Sequence, residues 1–176
     1  MALVVFLRGI NVGGHRRFRP STLATQLKHL GAINIGATGT LVIRERVARA
    51  KLRAELTRRL PFEAAIVICD HREIVRLVSR DYFAGHRPRP DIIRFVSVLS
   101  RAPRSTPRLP LSIPSRGRWL VRILARQNRF VVGLYRREMK VIGYLGTLDR
   151  IYGAPATTRN WNTLNAIAKV LDVEPA

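Results

Sequence analysis

Cysteine is nearly absent from this 176-residue chain: Cys69 stands alone. No internal disulfide can form, which fits a reducing, cytoplasmic compartment. One cysteine and the scattered His15, His29, His71 and His86 do not make the cluster of soft ligands that structural zinc needs, so no metal is expected. Long apolar runs are missing too. None approaches the roughly 20 residues a helix needs to cross a bilayer, and no membrane partner is expected. In residues 2–7 the apolar run precedes its charge, Arg8, whereas a secretion signal carries its charge first; the run therefore predicts a buried strand. Acidic residues are few, 11 Asp and Glu, which does not suggest paired-carboxylate catalysis. No Gly-x-Ser-x-Gly elbow occurs. Cys69-Asp70-His71 puts reactive side chains in a row, but neighbours at a strand end point to opposite sides, and Cys69 reads as a small buried residue. No catalytic constellation and no cofactor motif emerges, although His15 adjoins a glycine loop and has the pKa range of a general base.

What is abundant is arginine. Lys and Arg number 32, only four of them lysine, and the net charge is +21. Residues 1–60 hold 12 basic and 2 acidic side chains, residues 61–100 hold 6 and 5, and residues 101–176 hold 14 and 4. The excess therefore lies toward both ends. Such a field attracts polyanions: nucleic acid, anionic lipid or phosphorylated metabolites. A solvated exterior whose arginine usage reflects composition is the alternative.

Periodicity predicts an α+β protein. Residues 2–7 read as a strand and 21–30 as a helix with Leu23, Leu27 and Leu30 on one face and Gly31 ending it. Strands at 32–36 and 40–44 flank Ala37-Thr38-Gly39. A helix over 46–60 repeats Ala48, Leu52, Leu56 and Leu60 and stops at Pro61. A strand over 62–69 completes β-α-β-β-α-β, the order of a ferredoxin-like unit. Asp70 and Glu73 have capping-box spacing for a third helix. These elements predict two packed α/β halves, 1–85 and 91–176, with antiparallel sheets, helices on one face and a linker at 86–90. The second half reads as a strand over Ile92–Leu99, a long irregular connection at 101–116 with four prolines, strands at 118–125 and 129–135 joined at Gln127-Asn128, a short strand at 139–144 and a last helix over 159–171.

Two motifs stand out. Arg8-Gly9-Ile10-Asn11-Val12-Gly13-Gly14 follows the first strand. Its glycines permit positive φ and a nest of backbone N–H groups, and Arg8 adds a bidentate anion donor. It is neither a Walker loop nor G-x-G-x-x-G; the bland reading is a tight turn. Thr157-Thr158-Arg159-Asn160-Trp161-Asn162-Thr163 opens the last helix, with Thr158 as its expected cap and Trp161 as a core anchor. Arg159, Asn160 and Asn162 would stand beside the anion-attracting helix terminus. Separately, alternation puts Arg118, Arg122 and Arg126 on one strand face, where they could follow a phosphate backbone.

With these two strings, R-G-I-N-V-G-G and T-T-R-N-W-N-T, the chain resembles the domain-of-unknown-function 1697 family. The resemblance implies a cytosolic, bacterial-type protein of two packed α+β halves and implies no particular activity. Members usually carry Gln-Ser-Gly-Asn between the second and third strands, where this chain has Ala37, Thr38, Gly39 and Thr40. The turn glycine is kept and the amides are lost.

The expectation from the sequence is a binding protein for a phosphorylated or otherwise anionic ligand. Its site would use Arg8, Gly9, Asn11, Gly13 and Gly14 together with Thr158, Arg159, Asn160 and Asn162. The alternatives are non-sequence-specific nucleic-acid binding through Arg118, Arg122 and Arg126, and a structural or interaction protein with no ligand.

Overall fold

The structure, a computed structural model, describes residues 1–10 and 18–173. The chain divides into two compact units. The first holds Met1–Val78 and the described residues from Asn165 on; the second is Ser79–Leu164. The boundary at Val78–Ser79 lies before the Pro-Arg stretch at 86–90, which belongs to the second unit, and the last helix is divided between the two.

The first unit runs β1 (Leu3–Arg8), α1 (Pro20–Gln26), a 3-10 turn (Lys28–Leu30), β2 (Ala32–Ile35), β3 (Thr40–Ile43), α2 (Arg49–Arg59), β4 (Ala65–Asp70) and α3 (His71–Val78). Its sheet has the order β2-β3-β1-β4 with every pair antiparallel. Each crossover helix therefore skips one strand. Leu3, Val5 and Leu7 of β1 pack with Leu41, Ile43, Ile66 and Ile68 and with Leu23, Leu27, Leu52 and Leu56 of the helices. The other face, with Val4, Phe6, Val42, Val67 and Cys69, is equally buried. A strand buried on both sides reads as a continuous apolar run, as residues 3–7 do.

Local signals place the ends of these elements. Pro20 starts α1, where its missing N–H is no loss. Gly31 closes the following turn at φ +62. At α3 the Glu73 carboxylate accepts the Asp70 N–H at 2.7 Å, half of a capping box. Gly39 has φ +79, and a Cβ there would lie 2.6 Å from Ile10 Cδ1 and 3.0 Å from Leu7 Cβ. Glycine at this turn is thus favoured by both conformation and space.

The second unit holds β5 (Ile92–Leu99), β6 (Leu111–Ile113), β7 (Val121–Gln127), β8 (Phe130–Arg136), α4 (Val141–Gly146), α5 (Leu148–Tyr152) and β9 (Ala156–Asn160), and α6 (Trp161–Val170) begins in it. Its antiparallel sheet has the order β6-β7-β8-β5-β9. One face packs Phe95, Val121, Ile123 and Val131 against Val141, Leu148 and Tyr152.

Three elements differ from the sequence expectation. Residues 139–144 are not a strand: Val141, Leu145, Leu148 and Tyr152 recur at helical spacing and all join the core, so the segment is two short helices. The proline-rich connection contains an edge strand, β6, bounded by Pro110 and Pro114, and an edge is where a sheet tolerates proline. The last helix begins at Trp161, not 159, because Ala156–Asn160 pairs with β5 as a fifth strand.

Candidate functional site

The second motif is thus a strand followed by a helix. Thr158 pairs with Ser97 across the sheet, and their hydroxyls lie 2.6 Å apart. It is not the helix cap. That role falls to Asn160, whose Oδ1 accepts the Asn162 N–H at 2.9 Å. This bond fixes the Asn160 amide with its oxygen turned to the helix and its NH₂ left to donate elsewhere. Arg159 is buried, with 7% of its surface exposed, and its Nη1 donates to the Thr158 carbonyl at 2.9 Å. Burial pulls its pKa down to about 10. It points to the interior rather than standing at an open helix end.

In the first motif, Arg8 ends β1 opposite Ala65, and Gly9 follows at φ +84. Asn11, Gly13, Gly14 and His15 lie outside the described residues. The two motifs fall in different units, and each is described in its own.

The row Arg118, Arg122, Arg126 does not form one surface. The register of β7 against β8 shifts between Ile123 and Ala125. A bulge adds one residue and inverts the alternation beyond it. Arg122 stands opposite Leu134, whereas Arg126 stands opposite Val131, which faces the core with Ile123. Arg122 and Arg126 therefore leave opposite faces of the sheet. Arg118, just before the strand, pairs with Glu138 at 2.9 Å.

The face that carries Arg122 also carries Arg94 and Arg136. Arg94 and Arg122 flank Leu134 in one cross-strand row, and Arg136 lies two residues on along β8. Aromatic rings support all three. Arg122 and Arg136 stack on the Trp119 indole, 4.6 and 4.3 Å from its centre, and Arg94 lies 4.8 Å over Phe83. Phe83 in turn meets Trp161 edge to face, with ring centres 5.0 Å apart. The Arg94 Nη2 donates to the His86 carbonyl at 2.8 Å, tying the 84–90 segment to the sheet.

Two pockets that share part of their lining form a two-lobed cleft at the start of β5, the first over this face and the second around the strand's edge. One lobe, about 310 Å³, is walled by residues 85–89, Arg94, Trp119 and Leu134. The other, about 270 Å³, is walled by Ile93, Arg137, Asn160 and Asn162. Pro88, Arg89, Ile92 and Arg94 line both. Each lobe is near the lower size limit for a small-molecule pocket. Arg87, Arg89, Arg94 and Arg137 make the cleft cationic. The carboxylate beside it is Asp91, held by Arg89 through two hydrogen bonds of 2.9 and 3.0 Å and by Arg136 at 3.5 Å. Hydrogen bonding to Arg89 keeps Asp91 below the usual carboxylate range. Of the residues expected from sequence, Asn160 and Asn162 line the cleft, and Arg159 is not among its lining residues. The arginines at 87, 89, 94 and 137 were missed. The signal was present in β5, where Arg94 is the one charge in an otherwise apolar or small strand.

The DUF1697 sequence profile, described as a protein of unknown function, matches residues 1–117. The chain belongs to the DUF1697 family. The matched stretch takes in the first motif, the 84–90 segment and β5, and stops before the second motif. No curated protein matches the sequence. Among solved structures, this DUF1697 protein is similar to the conserved bacterial protein SP0830 from Streptococcus pneumoniae, with a TM-score of 0.60, 15% identity, and 97% of this chain and 98% of that one covered. At that identity the likeness establishes the mixed α+β fold alone. Among the described residues no group of His, Cys, Asp and Glu could hold a metal ion, and no helix is long and apolar enough to cross a membrane.

Proposed function

We propose that this DUF1697 protein binds a small anionic ligand, with a phosphate as its recognised group, in the cleft of the second unit. One observation carries the reading: Arg87, Arg89, Arg94 and Arg137 line a cleft that also takes in Asn160 and Asn162 of the second motif. Guanidinium groups are suited to bidentate phosphate recognition, and amide NH₂ groups add oriented neutral donors. The anion-binding glycine loop expected at Arg8, Gly9, Asn11, Gly13 and Gly14 belongs to the first unit and is proposed separately, on its glycine backbone and the Arg8 guanidinium. The cytoplasm, where a buried free Cys69 stays reduced and phosphorylated metabolites are abundant, is the compartment that suits it.

The second reading, nucleic-acid binding, rests on the net charge of +21. Trp119 weighs against a base-stacking mode, since two guanidiniums already occupy its ring. Calorimetric titration with inorganic phosphate, set beside a random oligonucleotide over a salt series, tests both. Saturable phosphate binding with mild salt dependence supports the first reading. Oligonucleotide binding with a steep log–log slope and no phosphate binding replaces it with the second.

A further inference from the structure

The cleft does more than suit an anion; its two lobes differ in what they offer. In the first, Arg87 and Arg94 stand beside an apolar wall of Ile92, Leu134 and Trp119. Arg94 spends one donor on the His86 carbonyl and keeps others of its five. In the second, Arg137 stands beside the Asn160 and Asn162 amides. The helix-capping bond holds the Asn160 oxygen and leaves its NH₂ to donate. Arg89 and Arg94 line both lobes; two Arg89 nitrogens are already bonded to Asp91, which leaves Arg94 as the shared donor. Neither lobe is large, and the indole that could have taken a base is covered by Arg122 and Arg136.

A ligand with a single anionic group would use one lobe and leave the other's cations unanswered. We propose that the ligand is a compact molecule with two anionic groups on a short spacer, one seated against Arg87, the other against Arg137 and the two asparagines, with Arg94, which lines both lobes, between them. This deepens the anion-binding reading and rests on it.

Inorganic pyrophosphate and orthophosphate, titrated into the full chain by calorimetry, are the probes. Pyrophosphate should bind at least about tenfold more tightly, as expected for one added set of charge-assisted bonds. Arg87→Gln and Arg137→Gln, each at an exposed residue, should each reduce pyrophosphate affinity about tenfold, toward that of orthophosphate. Lys51→Gln, which removes the same charge from an exposed position on α2, should leave it within about twofold. Equal affinity for the two probes overturns the two-anion ligand and leaves single-anion binding standing. An equal loss in Lys51→Gln also overturns it, because the preference is then a property of the overall charge. No binding of either probe overturns the anion-binding reading as well. Displacement of pyrophosphate by a random oligonucleotide at lower concentration, with a steep salt slope, replaces the small molecule with nucleic acid.

Discussion

The two units differ in what else supports their arginines. In the first, guanidiniums are tied to carboxylates and carbonyls of their own unit. Arg49 donates to the Ile68 carbonyl at 3.1 Å and pairs with Asp70 and Glu73; Arg53 donates to the Ile66 carbonyl at 2.9 Å; Arg58 and Arg59 both hold Glu55. Burial opposes the charge on Arg49, but the two carboxylates outweigh it and raise its pKa. In the second unit Arg89 and Arg118 are likewise tied to Asp91 and Glu138, but Arg94, Arg122 and Arg136 also rest on aromatic rings, and Arg94 keeps N–H donors beyond the one it gives the His86 carbonyl. Charge count alone does not locate a site. The proposed site rests on which cations the fold gathers around one cleft.

This contrast can be broken in four ways, from the largest effect to the smallest. Leu56→Ala, at a fully buried position in the first unit, should lower stability by about 3 kcal/mol in denaturant titration while phosphate affinity holds. Lost affinity in the folded variant would tie the site to the first unit. Gly133→Ala attacks the second unit. A Cβ at this β8 position would lie 2.3 Å from the Arg122 carbonyl oxygen, so the strands must part. We expect a loss of about 2 kcal/mol, and phosphate binding should weaken with it because the Arg122 strand moves. Binding that survives at full strength would place the site elsewhere.

Tyr152→Phe should act in the other direction. Its hydroxyl is buried and makes no hydrogen bond among the described residues. Removing it should raise stability by about 1 kcal/mol at neutral pH. Burial also pushes the Tyr152 pKa up to about 12, against an ordinary value of about 10. A raised folded pKa means the native state keeps its proton longer. The resulting stability is present below about pH 10 and is lost as pH rises toward 12. Stability curves of the wild type and Tyr152→Phe should differ in slope across that window; parallel curves would refute the assignment. The smallest effect belongs to Arg49→Met. With the Arg49 side chain 46% exposed, its ion pairs should contribute less than about 1 kcal/mol in the same denaturant titration, and phosphate affinity should not change.

Much of the fold was legible because local chemistry set it. Gly31, the Asp70–Glu73 spacing and the apolar run of β1 each act within a few residues, and each element appears where its signal lies. The second motif was legible as important and misread in form. Thr158 has the chemistry of a helix cap, yet its hydroxyl faces Ser97, 61 positions away in sequence, and the strand pairing that brings them together leaves no local trace. The cleft was hidden for a similar reason. Arg87 and Arg89 sit in a Pro-rich stretch that reads as a linker, while Arg94, Arg137 and Asn160 come from three separate strands or strand ends.

By itself, then, the sequence determined the α+β class, the family, the cationic character and most element positions, because composition and short-range periodicity encode them directly. The tertiary structure alone decided which cations could serve a ligand. One bulged residue in β7 sends Arg122 and Arg126 to opposite faces, and one added strand turns Arg159 inward and leaves Asn160 at the cleft. Side-chain direction in a sheet alternates residue by residue, so a single insertion in the ladder reverses it. That information resides in the register between strands, not along any one of them.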